Sequence, residues 1–176
     1  MNIFHNFYVQ PMNLVYIETI AIYVVWTIAM LVIRGKVQRI ISIIGTAIAV
    51  GLVFLFTIRG RSGIENYELS LIPFISFDNA KTQPELYRTM YMNVLLFMPL
   101  GLSLPFALSG KIKHNVLISI LIGFLLSAVV ETVQYLFHLG RCETDDVIMN
   151  TLGVIIGTTS FVICIFRDRI RNTFNE

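Results

Sequence analysis

The sequence predicts an all-α membrane protein with about five transmembrane helices. Of the 176 residues, 56% are hydrophobic and only 14% are charged, whereas soluble domains carry roughly 25% charged residues. Several apolar runs approach or exceed the roughly 20 residues that a helix needs to cross a bilayer. No run alternates polar and apolar residues over a sustained stretch, as the strands of a membrane barrel do. The composition therefore excludes a soluble monomer and a disordered chain.

The five predicted helices follow the apolar runs in chain order. They span residues 14–33, 40–58, 93–108, 116–139 and 147–166. The first has Glu18 near its start, and the second has no charge. The third is short and contains Pro99, Gly101 and Pro105, so we expect a kink there. The fourth carries one acid, Glu131, and the fifth carries none.

A longer and more polar segment, residues 59–92, separates the second and third predicted helices. It holds eight charged residues, four of each sign. Pro73 interrupts its apolar stretch, which argues against a straight spanning helix. Aromatic residues of the kind that collect at a membrane–water interface flank this stretch. Because structureless loops of this length are uncommon in compact domains, we predict a partly structured outer cap that is interfacial or re-entrant.

The distribution of Lys and Arg predicts an N-terminus outside the cell and a C-terminus in the cytoplasm. Cytoplasmic loops hold an excess of these residues. Eight of them would share the inner side: Arg34, Lys36, Arg39, Lys111, Lys113, Arg167, Arg169 and Arg171. Five would share the longer outer loops. This orientation places Cys142 outside and Cys164 near the inner end of the fifth helix. A net charge of +2 gives no reason to expect a nucleic-acid partner.

Two polar stripes run along the fourth and fifth predicted helices with the same intervals of 4, 3 and 4 residues. They are Ser127, Glu131, Gln134 and His138 on one helix and Asp146, Asn150, Gly153 and Gly157 on the other. An ionisable residue inside a membrane helix is a functional candidate by default. The structural alternative for Glu131 is a hydrogen bond that holds two helices together. For Gly153 and Gly157 we favour close helix packing.

The predicted topology gathers polar residues at the outer end of the third, fourth and fifth helices. They are Asn93, Glu131, Gln134, Arg141, Asp146 and Asn150. We expect them to form a small polar chamber that opens to the external leaflet, with Pro99, Gly101, Gly153 and Gly157 shaping the helices around it. Two further acids, Glu143 and Asp145, lie at the start of the fifth helix. The structural explanation is that Thr144 caps the helix and that acids are stabilising near the positive end of the helix dipole.

Four segments of the chain carry a family resemblance. They are Leu71-Ile72-Pro73-Phe74, Asn93-x-x-x-Phe97-x-Pro99-x-Gly101, Glu131-x-x-Gln134 and Asp146-x-x-x-Asn150-x-x-Gly153-x-x-x-Gly157. In their order and spacing they resemble the VanZ-like family of bacterial membrane proteins. The resemblance covers about half of the chain and implies one multi-pass domain over residues 1–176. It also implies a role in resistance to glycopeptide antibiotics of the teicoplanin type. One departure is Glu143, where we would expect an aspartate.

Three functional hypotheses remain open for the polar chamber. In the first, this protein is not an enzyme. Surrounded by membrane lipids, it binds a lipid-linked cell-wall precursor or a lipophilic glycopeptide. Arg141 would meet a phosphate or carboxylate, and Mg²⁺ held by Glu131 and Asp146 would bridge the acids to an anionic ligand. In the second, Glu131 is the general acid or base of an enzyme that modifies a lipid-linked or peptidoglycan substrate. In the third, Glu131 relays protons in a proton-coupled transporter.

Overall fold

The computed structural model describes residues 11–59, 69–139 and 142–173. The helices in this part of the chain are α1 (Met12–Val32), α2 (Gly35–Phe54), α3 (Ile75–Ala80), α4 (Glu85–Ala107), α5 (Ile112–Leu136) and α6 (Thr144–Thr173). A π-helical turn, Leu55–Arg59, continues α2. All of these α-helices except α3 are long and apolar enough to cross a membrane. The predicted all-α class with five spanning helices is confirmed.

The helix boundaries differ from the predicted ones because hydropathy marks only the apolar part of each helix. Helix α4 begins at Glu85 rather than at Asn93, so the last residues of the predicted cap, 85–92, are helical. Pro84 precedes the helix with φ −59°, a value already suited to a helix start, and Glu85 lies at the positive end of the helix dipole. Helix α6 extends beyond the predicted 147–166 at both ends, because its first and last turns are charged.

The described part of the outer cap is short but structured. Strand β1 (Leu69–Ser70) pairs in parallel with strand β2 (Cys142–Glu143), which lies just before α6. The chain then turns through Pro73 and Phe74 and enters α3. Phe74 has a left-handed backbone with φ 67°, a conformation that non-glycine residues adopt only at some expense. The cap is therefore tied to the start of α6 by backbone pairing.

Helix α4 lies at the centre of the bundle and runs in the same direction as α6. Gly153 of α6 lies against the backbone of Val94, and Gly101 of α4 lies against the backbone of Val154. Gly157 lies against backbone atoms of the stretch Met98–Leu102. At these contacts the two helix backbones approach so closely that there is no room for a side chain, as in other membrane helix pairs with small residues at the interface.

The other spanning helices surround this pair and turn apolar side chains outward. Helix α1 is attached through Trp26, whose Nε1 donates a hydrogen bond of 2.8 Å to the Leu102 carbonyl. The hydroxyl of Thr27 also donates to Ser160 on α6, at 2.9 Å. The outward face of α1 is exposed and apolar, with Ile17 61% exposed. Such a face suits contact with acyl chains.

Hydrogen bonds join the helix ends at the pole where basic residues collect. There Arg167 donates to the Leu31 carbonyl at 2.6 Å, and Arg39 donates to the Ala107 carbonyl at 3.2 Å. We call this pole the basic end; it comprises Arg34, Lys36, Arg39, Lys111, Lys113, Arg167, Arg169 and Arg171. We call the opposite pole the acidic end; it comprises Glu131, Glu143, Asp145 and Asp146. The basic end is the side that the sequence predicts to be cytoplasmic.

The predicted orientation makes the two cysteines distinguishable in intact cells. A membrane-impermeant maleimide should label Cys142, which precedes α6 at the acidic end, and should leave Cys164 unlabelled because that thiol is buried. The variant Cys142→Ser is the matched control and should lose the label. Labelling of Cys142 only after the membrane is permeabilised would invert the predicted topology.

Candidate functional site

The carboxylate of Glu131 is buried inside the bundle. The residue is only 4% exposed, and its Oε2 accepts a hydrogen bond of 3.2 Å from the backbone N–H of Glu143. Glu131 therefore faces the junction between α5 and the start of α6, and it does not face lipid. Burial of an acid requires such polar partners, because an unpaired charge in an apolar environment is strongly unfavourable.

Asn93 and Asp146 contact each other directly. Asn93 Nδ2 of α4 donates to Asp146 Oδ1 of α6 at a distance of 2.6 Å. The carboxylate lies in the first turn of α6, where the helix dipole favours a negative charge. This contact brings the third and fifth predicted helices together at the acidic end.

Asn150 and Gln134 are both buried, and each donates one hydrogen bond across a helix interface. Asn150 Nδ2 donates to Ser127 Oγ of α5 at 2.8 Å, and Gln134 Nε2 donates to the Thr57 carbonyl at 3.2 Å. Their side-chain oxygens, Asn150 Oδ1 and Gln134 Oε1, are buried and accept no hydrogen bond from the described residues. Both oxygens therefore receive no hydrogen bond from the described protein.

The structure brings the predicted site residues together in pairs. Asn93 contacts Asp146 between α4 and α6, and Asn150 contacts Ser127 between α5 and α6. Gln134 instead reaches the π-helical turn after α2. His138, the last member of the stripe on α5, is exposed beyond the end of that helix. Arg141, the remaining predicted member of the chamber, lies outside the described residues.

The sequence did not indicate the structural role of Asp145, which is to hold the outer cap. It is 1% exposed, and its two carboxylate oxygens accept the backbone N–H groups of Phe74 and Ser76 at the start of α3. Ser76 Oγ also donates to Glu143 Oε2 at 3.1 Å. The hydroxyl of Thr144 donates to the Ser70 carbonyl of β1 at 3.3 Å. The crowded acids at the start of α6 therefore hold the outer cap in place.

The described site residues provide hydrogen-bond acceptors rather than a set of metal ligands. Among residues 11–59, 69–139 and 142–173, no group of three or more His, Cys, Asp or Glu side chains is placed to hold a metal ion. The two predicted metal candidates, Glu131 and Asp146, thus gather no third ligand of these types from the described chain. What the described residues gather at this end is a set of buried oxygen acceptors, namely the Glu131 carboxylate and the amide oxygens of Gln134 and Asn150.

Comparisons with known proteins place these features in a family context. The VanZ/LLP1 family model matches residues 40–167, which include α4, α5 and most of α6. Protein VanZ of Enterococcus faecium is 33% identical over 97 residues, which cover 51% of this chain and 49% of that protein. The match thus spans about half the length of this relative. No solved structure matches the chain.

Proposed function

The chain belongs to the VanZ/LLP1 family, and from this premise we propose that it contributes to resistance against glycopeptide antibiotics of the teicoplanin type. The proposed mode of action is binding. The polar chamber at the acidic end takes up a lipid-linked cell-wall precursor, or the lipophilic antibiotic itself, from the outer leaflet. Neither ligand needs to be chemically changed in this mode.

The observation that supports binding most directly is the pair of buried acceptors without donors. Buried polar groups in proteins are nearly always hydrogen-bonded, and an unsatisfied one is destabilising by roughly 1–3 kcal/mol. Asn150 Oδ1 and Gln134 Oε1 both lack a donor among the described residues. The peptide and sugar parts of a cell-wall precursor carry many N–H and O–H groups. Such a ligand satisfies these acceptors when it enters the chamber.

The exposed apolar residues of the outer cap also support the proposal, because they suit a ligand that reaches the chamber through the membrane. Leu71, Ile72 and Phe74 are 66%, 65% and 58% exposed, next to the strand that pairs with the start of α6. Exposed apolar residues beside a polar site suit a ligand with an acyl or prenyl tail and a polar head. This placement fits both proposed ligands equally well.

Substitution of Glu131 tests the proposal in cells. A teicoplanin-sensitive strain that expresses the wild-type protein should grow at a higher antibiotic concentration than the strain without it. Glu131→Gln should keep this resistance, because the amide oxygen still accepts the N–H of Glu143. Glu131→Ala should reduce resistance to that of the strain without the protein. The measurement is the minimal inhibitory concentration at matched expression, verified by immunoblot.

Glu18→Ala is the matched control, since Glu18 is an exposed acid on α1, and it should retain full resistance. Equal loss in Glu131→Gln and Glu131→Ala would favour the enzyme or the proton relay, which both need a titratable group.

With purified protein, the precursor should raise the melting temperature and be recovered intact. Chemical conversion of the precursor, or no resistance with the wild-type protein, would contradict the proposal.

A further inference from the structure

A cavity of about 470 Å³ opens at the basic end of the bundle, between the α4–α5 connection and the C-terminal part of α6. Its walls are formed by Gly110, Lys111, Ile112, Lys113, His114 and Arg169. The cavity is shallow and open over much of its boundary, so an occupant would stay partly exposed. This cavity is at the pole opposite the polar chamber, so the proposed function does not use it.

The cations of this cavity are not neutralised by the described protein. Lys111, Lys113 and Arg169 are exposed, and none of them forms an ion pair with another described residue. The described acid at this end, Asp168, is already paired with Arg34 at 3.4 Å and with Arg167 at 2.9 Å. The cavity therefore presents three positive charges to whatever occupies it.

The backbone adds to this positive potential. Lys111 is the N-cap of α5, and its side chain makes no capping hydrogen bond. The first turn of α5 contains no acid, although Ile112, Lys113 and His114 line the cavity. The N–H groups of a first helical turn have no partner within the helix and carry its positive partial charge. Such a helix start favours an anion such as a phosphate.

A buried acceptor beside the cavity points to a second feature of the ligand. Asn115 is 4% exposed, and its Nδ2 donates to the carbonyls of Pro105 and Leu108 at 3.1 and 3.2 Å. Because the amide nitrogen makes both contacts, the amide oxygen Oδ1 is the atom that faces away from these carbonyls. Asn115 Oδ1 accepts no hydrogen bond in the described chain, and it would lie 2.7 Å from a Cβ placed on Gly110, a cavity residue. Asn115 is not itself a lining residue, and its oxygen adjoins the cavity at Gly110. A hydroxyl donor that reaches past Gly110 satisfies this oxygen.

We propose that this cavity binds the headgroup of an anionic phospholipid, with phosphatidylglycerol as the type of ligand. Its phosphate lies among Lys111, Lys113, Arg169 and the start of α5, and a glycerol hydroxyl donates to Asn115 Oδ1. The lipid source is favoured because the cavity lies at the ends of helices that are long and apolar enough to span a membrane, and the ends of such helices reach the headgroup region of a bilayer. Basic cavities between helices at this level recognise anionic lipid headgroups in other membrane proteins.

The test uses the full chain purified in detergent. Native mass spectrometry measures lipid affinity, and thermal unfolding measures the melting temperature with and without lipid. Phosphatidylglycerol should bind and raise the melting temperature, whereas phosphatidylcholine and inorganic phosphate at the same concentration should not. The double variant Lys113→Gln/Arg169→Gln should bind phosphatidylglycerol about tenfold more weakly or worse, because two phosphate-binding charges are lost. The matched control is Lys36→Gln/Arg171→Gln, which loses the same charge at the basic end outside the cavity and should bind like the wild type.

The outcomes separate the proposal from its competitors. Equal weakening in both double variants would show diffuse charge attraction and would overturn the site. Equal stabilisation by inorganic phosphate would overturn the lipid as its occupant. Phosphatidylethanol carries the same phosphodiester charge without a headgroup hydroxyl and should bind more weakly than phosphatidylglycerol. Equal binding of these two lipids would contradict the part assigned to Asn115.

Discussion

Gly157→Ala is expected to destabilise the protein by about 3 kcal/mol or more, at the upper end of the usual penalty for overpacking. A Cβ at this position would lie 2.6 Å from the backbone nitrogen of Leu102 and 2.7 Å from the carbonyl carbon of Gly101, and it would also meet the Met98 carbonyl. Backbone atoms inside a helix cannot rotate away as a side chain does. The added methyl group therefore forces α4 and α6 apart along the central contact of the bundle.

The measurement is thermal unfolding of detergent-purified protein, followed by fluorescence of the single tryptophan. Trp26 is a suitable reporter because its indole N–H donates to the carbonyl of Leu102, beside the Gly157 contact. Gly51→Ala is the matched control, since a Cβ there would meet nothing within 4 Å. It should melt at or above the wild-type temperature, because alanine favours a helix by about 1 kcal/mol over glycine. Equal melting of Gly157→Ala and wild type would contradict the backbone contact.

Asp145→Ala should release the outer cap and destabilise the protein by about 3 kcal/mol, because one buried and one partly buried backbone donor lose their acceptor. The N–H groups of Phe74 and Ser76 both donate to this carboxylate. Phe74 also has a left-handed backbone, so the segment loses the contacts that hold it in that conformation. Faster hydrogen exchange at residues 74–77, together with a lower melting temperature, is the expected result.

Two further variants make this prediction specific to the buried carboxylate. Asp145→Asn keeps one acceptor oxygen and should fall between the wild type and Asp145→Ala. Asp78→Ala removes an exposed acid of α3 that pairs with Lys81 at 2.8 Å. That carboxylate raises the pKa of Lys81, but an exposed ion pair contributes little to stability. Unchanged exchange at residues 74–77 in Asp145→Ala would show that the cap is held by other contacts.

The sequence by itself predicted the five spanning helices, because burial of apolar residues in lipid is a property of each segment alone. It also predicted the break at Pro73, since proline has no backbone N–H and disfavours a helix on its N-terminal side. Helical periodicity placed Ser127 and Asn150 on the facing stripes of two helices, and these two side chains are hydrogen-bonded. Such features depend on intervals of a few residues, which the sequence displays directly.

Only the tertiary structure decided which distant groups meet. Asp145 receives N–H groups that lie 71 and 69 residues away, and Gln134 reaches a carbonyl 77 residues away. No local pattern predicts such pairs, because a carboxylate or amide forms equally good hydrogen bonds with any donor or acceptor that the fold brings near. The basic cavity has the same origin. Lys113 and Arg169 line one space because α5 begins where α6 ends, and that meeting depends on how the whole bundle packs.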